Sequence, residues 1–153
     1  MRDESDLGGV ARDIIDTNLY MTLGTADGAG RPWVSPVYYA PASYKEFFWV
    51  SSPEARHSRN LVTRSEVSIV IFDSRVPPGT GQGVYMSAVA PELNDVDFVR
   101  GIDLFSRRSQ AHGVGPWGPE DVLPPARHRL YRAIASEHFV LGRGDERTPV
   151  VLG

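Results

Sequence analysis

A strand-like run meets a helix start in Trp49-Val50-Ser51-Ser52-Pro53-Glu54-Ala55-Arg56-His57-Ser58-Arg59-Asn60-Leu61. The pattern predicts Ser52 as the N-cap and Pro53 as the first residue of a helix that ends near Arg64. Free backbone N–H groups and the helix dipole then favour an anion in front of Ser52. Arg56 and His57 follow in the first turn, where the dipole disfavours cations. The junction therefore indicates a site for an anionic group such as phosphate, with a solvated basic helix as the alternative.

Periodic patterns on both sides of this junction predict the remaining elements. An amphipathic stripe from Leu7 to Ile15 predicts a first helix that ends near Asn18. Asn94 is predicted to cap a further helix, and residues 112–127, rich in glycine and proline, to be irregular. Strands are predicted at residues 19–26, 33–39, 47–51, 67–72, 84–93 and 130–141, the last as one bent strand or two short ones.

The order of these strands predicts the fold class. Asp27-Gly28-Ala29-Gly30 closes a hairpin, and about six strands in hairpin order with few helices favour an antiparallel barrel or sandwich. We favour a barrel, because Pro36 inside the second strand marks an edge, a bulge or a bend. With 153 residues, of which 41% are hydrophobic and 23% charged, the chain fits a single domain over residues 1–153.

Composition excludes several classes of function. A formal charge of -3 argues against nucleic-acid or membrane-surface binding, and no apolar run is long enough to span a bilayer. The chain has no cysteine, so disulfides, thiol nucleophiles and zinc-thiolate sites are excluded. The start of the sequence lacks the apolar core of a signal peptide, and we therefore expect a cytoplasmic protein. No metal site is predicted, since the four histidines lack metal-ligand spacing.

Catalytic motifs are also missing from the sequence. There is no Gly-x-Ser-x-Gly elbow, and Asp95 and Asp97 fit a helix cap better than acid–base chemistry. The loop Gly79-Thr80-Gly81-Gln82-Gly83 lacks the lysine of a nucleotide-triphosphate loop, so it is either a ligand contact or a flexible connection. Any catalysis must then be carried by a bound organic cofactor, and no catalytic residue is identified.

Three runs together carry a resemblance: Arg31-Pro32-Trp33-Val34-Ser35-Pro36-Val37, Ser51 to Leu61, and Val67-Ser68-Ile69-Val70-Ile71-Phe72. In order and spacing they resemble the pyridoxamine 5′-phosphate oxidase-like family of flavin-binding split β-barrels. The likeness covers about residues 10 to 95 well and the C-terminal third loosely. It implies a mainly β, Greek-key-like antiparallel split barrel and a homodimer that binds FMN, or in some members a deazaflavin coenzyme, between subunits. Some relatives bind heme instead.

The resemblance also implies which residues hold the cofactor. Ser35 and Val37 would meet the isoalloxazine ring or its ribityl chain, and Ser51 and Ser52 would lie beside the phosphate. The other implied cofactor-binding residues are Arg56 and His57 as the phosphate clamp, with Asn60, Gln82 and Trp117. Many relatives have lysine where this chain has His57. Trp117 would act from the opposite subunit, and Asn60 alternatively satisfies buried backbone groups.

Three functional hypotheses follow from the resemblance. The leading one is an FMN-dependent oxidoreductase acting on a small-molecule substrate that the sequence does not identify. The second keeps the barrel but uses the deazaflavin coenzyme, whose acidic tail would contact Arg59 and Arg64. The third is a protein that binds flavin or heme without turnover.

Overall fold

A computed structural model describes residues 6–153, which form three α-helices and eight strands. The helices are α1 (Leu7–Thr17), α2 (Arg56–Thr63) and α3 (Asp95–Ala111). The strands are β1 (Tyr20–Ala26), β2 (Pro32–Tyr38), β3 (Ala40–Ala42), β4 (Glu46–Ser51), β5 (Glu66–Phe72), β6 (Gly83–Val89), β7 (Arg129–Leu141) and β8 (Arg147–Val150).

The strands form one antiparallel sheet that closes on itself. Their order is β2-β1-β5-β6-β7-β4-β3, and β8 also pairs with β7. β2 and β3 are the two ends of this order, yet only Tyr39 separates them along the chain. One continuous segment therefore pairs with β1 at its start and with β4 at its end. This confirms the predicted antiparallel barrel, in its split form.

Alternate residues of the strands point inwards and fill the barrel. Met21 and Leu23 of β1 are fully buried, as are Phe47 and Trp49 of β4. α1 joins the same core, because the buried side of its apolar stripe packs against β5, β6 and β8. The barrel interior is therefore packed with side chains, and a ligand has to bind at its ends or on its outer surface.

The long helix α3 packs outside the barrel against β3, β4 and β7. Gly101 allows this approach, since a Cβ atom at that position would lie 2.4 Å from the ring of Phe48. An ionic group fixes the same contact: the buried Arg132 of β7 pairs with Glu46 and with Asp97, each at 3.0 Å. Arg100 of α3 also pairs with Glu46 at 2.8 Å, so α3 is held by close packing and by a partly buried ion-pair network.

The predicted start of the second helix was wrong. α2 begins at Arg56 with Ala55 as its N-cap, so Ser52 is not the cap and Pro53 is not the first helical residue. The hydroxyl of Ser52 instead accepts a hydrogen bond from the backbone N–H of Glu54 at 3.1 Å. Serine and proline are as typical of turns as of helix starts, and here the turn between β4 and α2 uses both.

Three strand assignments also differ from the prediction. β3 and β8 were not predicted, because runs of three and four residues give no periodic signal. β6 ends at Val89 rather than at residue 93, since the following Pro91 has no N–H to donate to a ladder. β7 is one strand, and its pairing with β6 shifts register opposite Ser87 and Ala88, as at a β-bulge.

No helix within residues 6–153 is both long and apolar enough to cross a bilayer. The described part of the chain also holds no group of three or more histidine, cysteine or acidic residues that could bind a metal ion.

Candidate functional site

The candidate site lies at the end of the barrel where the β1–β2 hairpin meets α2. This helix packs against β1 and β2 and brings three of the predicted residues to the sheet. His57 and Asn60 are buried, whereas Arg56 is exposed. One short helix therefore supplies both buried hydrogen-bonding groups and an exposed cation at the same barrel end.

His57 lies between two serines and uses both of its ring nitrogens. Nδ1 is 3.2 Å from Oγ of Ser35 on β2, and Nε2 is 3.0 Å from Oγ of Ser51 on β4. His57 is only 8% exposed, and this burial lowers its pKa below the ordinary value. The imidazole is therefore neutral near pH 7, and it joins two strands rather than presenting a cation to a phosphate.

Asn60 ties the helix to the hairpin. Its side-chain amide donates to Oγ1 of Thr25 at 3.0 Å, and Thr25 in turn donates to the carbonyl of Trp33 at 3.4 Å. The chain of bonds ends on the backbone of β2. Asn60 therefore reaches the β2 backbone only through the Thr25 hydroxyl, so the alternative in which it satisfies buried backbone groups holds only indirectly.

A cationic cavity opens beside this network. It has a volume of about 480 Å³ and is lined by Asp27, Gly28, Arg31, Pro32, Trp33, Arg56, Arg59, Asn60 and Thr63. The guanidinium of Arg56 lies 4.2 Å from the centre of the Trp33 ring, a cation–π contact that orients it. Among residues 6–153, neither Arg56 nor Arg59 has an ion-pair partner. We call this cavity the barrel-end pocket.

The one carboxylate that lines the barrel-end pocket, Asp27, is ionised and paired with an arginine. Asp27 accepts hydrogen bonds from the backbone and side chain of Arg31 and from the backbone of Ala29. These bonds, the backbone N–H of Arg31 first, hold the pKa of Asp27 below its ordinary value. Arg64, from the end of the helix, donates to the carbonyl of Gly28 at 3.1 Å and holds the hairpin turn in place. The pocket lining thus carries excess positive charge.

The structure places the remaining predicted residues in different surroundings. Val37 is on β2, but its side chain is buried in the barrel core, so only its backbone is available to a ligand. Ser52 lies in the turn before α2, next to the His57 cluster. Ser58 was not singled out from the sequence; it is buried, and its hydroxyl has no hydrogen-bond partner among the described residues.

Gln82 lies at the other end of the barrel. The β1–β5 register pairs Gly24 with Ser68, which leaves Phe72 and its neighbour Gly83 far from the β1–β2 turn. The side-chain amide of Gln82 donates to the carbonyl of Leu141 and accepts from the backbone N–H of Leu141. Within one chain, Gln82 therefore fastens β6 to the end of β7.

Trp117 packs on the outer side of the sheet. Its ring meets Phe105 of α3 edge-on at 5.7 Å and His128 at 6.2 Å, and its backbone N–H donates to Ser106 at 2.9 Å. Within one chain it does not approach the barrel-end pocket residues. These contacts describe an indole that anchors an irregular loop.

Sequence reasoning overlooked Trp33, Arg31 and Thr25 as members of the site. Trp33 lies in the run from Arg31 to Val37, but nothing in the sequence predicted that Arg56 would stack on its ring. The one available signal was the spacing of Arg56 and Arg59, which places both on the same side of a helix.

A second feature is an apolar outer face of the sheet. Val34 is 66% exposed and Tyr20 is 60% exposed, and Phe72 and Val89 are exposed on neighbouring strands. A shallow cavity of about 400 Å³ lies on this face, and a second of about 600 Å³ adjoins Gln82. Although the second cavity is larger, the barrel-end pocket is the one of these three that is lined by two arginines without an ion-pair partner among residues 6–153, and we treat it as the candidate site.

Comparisons with known proteins agree with this fold. A family model for pyridoxamine 5′-phosphate oxidase matches residues 8–140. A heme binding protein from Mycobacterium smegmatis has a TM-score of 0.76 at 18% identity, over 99% of this chain and 59% of its own. A heme storage protein from Vibrio cholerae has a TM-score of 0.66 at 22% identity, over 89% of this chain and 92% of its own.

A third solved structure, an FAD-binding protein from Mesorhizobium loti, has a TM-score of 0.61 at 18% identity, over 86% of this chain and 91% of its own. This chain thus spans less than two thirds of the Mycobacterium smegmatis protein. No curated protein matches the sequence significantly. At these identities the three structures establish a shared fold.

Proposed function

The chain belongs to the pyridoxamine 5′-phosphate oxidase family, and on that premise we propose that it is a flavin-dependent oxidoreductase. The cofactor in this proposal is FMN, alone or as the FMN portion of a larger coenzyme, with its phosphate in the barrel-end pocket. The substrate in this proposal is a small molecule.

One observation carries the proposal: two guanidinium groups without ion-pair partners among residues 6–153 line a single cavity with an exposed indole. Arginine is suited to phosphate because its planar donors can form two parallel hydrogen bonds. The donor set therefore fits a phosphate group. His57 does not fit the clamp expected for it, since its nitrogens are bonded to Ser35 and Ser51.

When bound, a flavin supplies reversible hydride and electron transfer. The residues of the chain have three tasks around it. Arg56 and Arg59 bind the anionic end, the Ser35–His57–Ser51 bridge fixes α2 against β2 and β4, and the Asn60–Thr25 pair fixes α2 against the hairpin. These contacts orient the cations without any acid or base that acts on a substrate.

We further propose that the protein is a homodimer in which a second copy covers the apolar outer face. Exposed Val34, Tyr20 and Phe72 support this, since large exposed apolar patches usually mark an interface. In such a dimer, Trp117 would approach the cofactor from the opposite subunit, as the family resemblance implies, and we propose the same for Gln82, which lies at the far end of the barrel in its own chain. Light scattering on the purified protein should give a molar mass twice that of the monomer. A Val34→Arg substitution should lower the measured mass to that of a single chain.

A second candidate is a carrier that binds flavin or heme without turnover. The observation that favours it is the lining of the barrel-end pocket, whose single carboxylate, Asp27, is bonded to Arg31. Two of the structural neighbours are heme proteins by their names. The deazaflavin coenzyme is the third possibility, with its acidic tail on Arg59 and Arg64.

Cofactor titration tests these proposals directly. We expect the protein to bind FMN with a low-micromolar or lower dissociation constant and to turn over artificial electron acceptors with a nicotinamide donor. Arg56→Ala should weaken binding at least about tenfold, the effect of losing a charged hydrogen bond. The control Arg107→Ala removes an exposed arginine of α3 and should change nothing.

Three outcomes separate the candidates. Tight flavin binding without turnover on a broad panel of acceptors favours the carrier. Stronger binding of the deazaflavin or of hemin than of FMN favours that cofactor. A protein that takes up no flavin at tens of micromolar refutes the flavin proposal.

A further inference from the structure

No negative charge of the chain holds the Arg56 side chain in the barrel-end pocket. Arg56 is exposed and has no ion-pair partner within residues 6–153. Arg59 lies three positions further along α2, where like charges repel each other, and the first turn of the helix has no acidic residue to offset the repulsion. Without another contact, the two guanidinium groups would turn away from each other into solvent.

The Trp33 ring supplies that contact and leaves the donors of Arg56 available. The ring is 42% exposed, and its centre lies 4.2 Å from the guanidinium carbon. A cation–π contact occupies the face of the guanidinium and none of its N–H groups. Arg31, which lines the same pocket, instead directs a side-chain N–H to the Asp27 carboxylate. Arg56 is therefore held in one direction while its N–H groups can still bind an anion.

Trp33 is itself fixed relative to α2. In the β1–β2 hairpin it lies opposite Thr25, whose hydroxyl donates to the Trp33 carbonyl at 3.4 Å. Thr25 also accepts a hydrogen bond from the side-chain amide of Asn60 at 3.0 Å. Asn60 and Arg56 are four residues apart and hence lie on the same side of the helix. The helix thus fixes the backbone of Trp33 through Asn60, and the Trp33 ring in turn fixes Arg56.

From this closed set of contacts we propose that Trp33 is a positioning residue of the anion site. It directs the Arg56 guanidinium towards the pocket and so raises the affinity for a phosphate group, without touching the ligand itself. The ligand meets the N–H groups of Arg56, because the guanidinium lies over the indole. The inference rests on the proposed flavin function and deepens it, since it adds a residue that acts on the phosphate only through Arg56.

The test measures the binding of FMN and of riboflavin, which lacks the phosphate, by calorimetry and flavin fluorescence. Trp33→Leu should weaken FMN binding about two- to fivefold, the effect of losing one cation–π contact. Trp33→Tyr keeps an aromatic face and should lose less than about twofold. Riboflavin should bind equally to the parent and to both variants. Circular dichroism verifies that each variant is folded.

A double-mutant cycle shows whether Trp33 acts through Arg56. Arg56→Ala should weaken FMN binding at least about tenfold, and adding Trp33→Leu to that variant should have no further effect. Arg59→Ala is the matched control, because it removes the neighbouring cation and leaves the stacked pair intact. In the Arg59→Ala background, Trp33→Leu should weaken FMN binding by the same factor as in the parent.

Several results would refute the positioning role while flavin binding stands. One is equal FMN affinity of the parent and Trp33→Leu. Another is an equal loss in the parent and in the Arg56→Ala background, which would mean that Trp33 acts by packing. A loss of riboflavin affinity in Trp33→Leu would mean that the ring contacts the ligand directly.

Failure of the proposed function gives a different pattern. If the parent binds no FMN, the flavin proposal is refuted, and inorganic phosphate, followed by phosphorus NMR line widths, becomes the probe. Tighter phosphate binding by the parent than by Trp33→Leu would then support the positioning role alone. Equal phosphate binding, or none by either protein, would refute both proposals.

Discussion

Replacing His57 by alanine should destabilise the barrel end without removing a charge at neutral pH. The substitution removes two neutral hydrogen bonds, to Ser35 and Ser51, each worth about 1 kcal/mol. It also empties the space of a ring that is 8% exposed, so the total cost should be about 2–4 kcal/mol. For a domain of this size, that cost lowers Tm by about 6–12 °C.

The pH dependence gives a second readout of the same residue. Burial lowers the pKa of His57 in the folded protein, so below the ordinary value of 6.5 the unfolded chain binds more protons. The free energy of unfolding therefore falls as pH drops from 6.5 towards the lowered pKa. His138 is also buried with a lowered pKa, so His57→Ala should remove part of this acid sensitivity and leave the rest.

Urea denaturation followed by circular dichroism, at about pH 7.5 and about pH 5.5, measures both effects. The control is Val62→Ala on the same helix, where the side chain is 90% exposed and the change should stay within about 0.5 kcal/mol. If His57→Ala is as stable as the parent at the higher pH, the serine bridge has no energetic role. If both proteins lose equal stability on acidification, His57 is not buried in its neutral form.

Three further substitutions test the packing that supports the site. Gly101→Ala should cost about 1–3 kcal/mol, because the new Cβ overlaps the Phe48 ring, and thermal denaturation will measure the loss. Glu46→Gln should cost about 2 kcal/mol by weakening the buried Arg132 pair. Arg100 and Arg132 lower the pKa of the Glu46 carboxyl, so the parent's advantage should disappear on titration below its ordinary value of 4.5. Gln82→Ala should cost about 1–3 kcal/mol and speed amide exchange at the end of β7.

The sequence predicted the strands of the barrel because they depend on short-range patterns, namely apolar runs and turn residues. The Val67 to Phe72 run and the turn at Asp27 are short-range signals, and both elements form where expected. The way in which the sheet closes could not be predicted as directly from the sequence. It depends on Tyr39 interrupting one segment so that its halves pair with different strands, a long-range result with no local pattern.

The site was predicted in part for the same reason. Arg56, His57 and Asn60 do come together at one barrel end, since a single helix carries them. Their hydrogen-bond partners could not be predicted from the sequence, because His57 bonds to residues 22 and 6 positions away. Trp33 could not be assigned from the sequence, since its contact with Arg56 exists only once the hairpin and the helix have packed.

The buried and the exposed residues of α2 are expected to affect different measured quantities. Its buried residues, His57 and Asn60, bond to the barrel whether or not a ligand is present, so the position of the helix is set when the chain folds. The backbone positions of Arg56 and Arg59 are thereby set when the chain folds, and the Trp33 ring orients the Arg56 guanidinium. If the proposed anion site is correct, this lowers the ordering cost of binding. Loss of a buried residue should therefore appear first in the free energy of unfolding, and loss of an exposed arginine first in the dissociation constant. Since the chain as a whole carries a formal charge of -3, attraction of an anion depends on this local arrangement and should weaken as salt screens it.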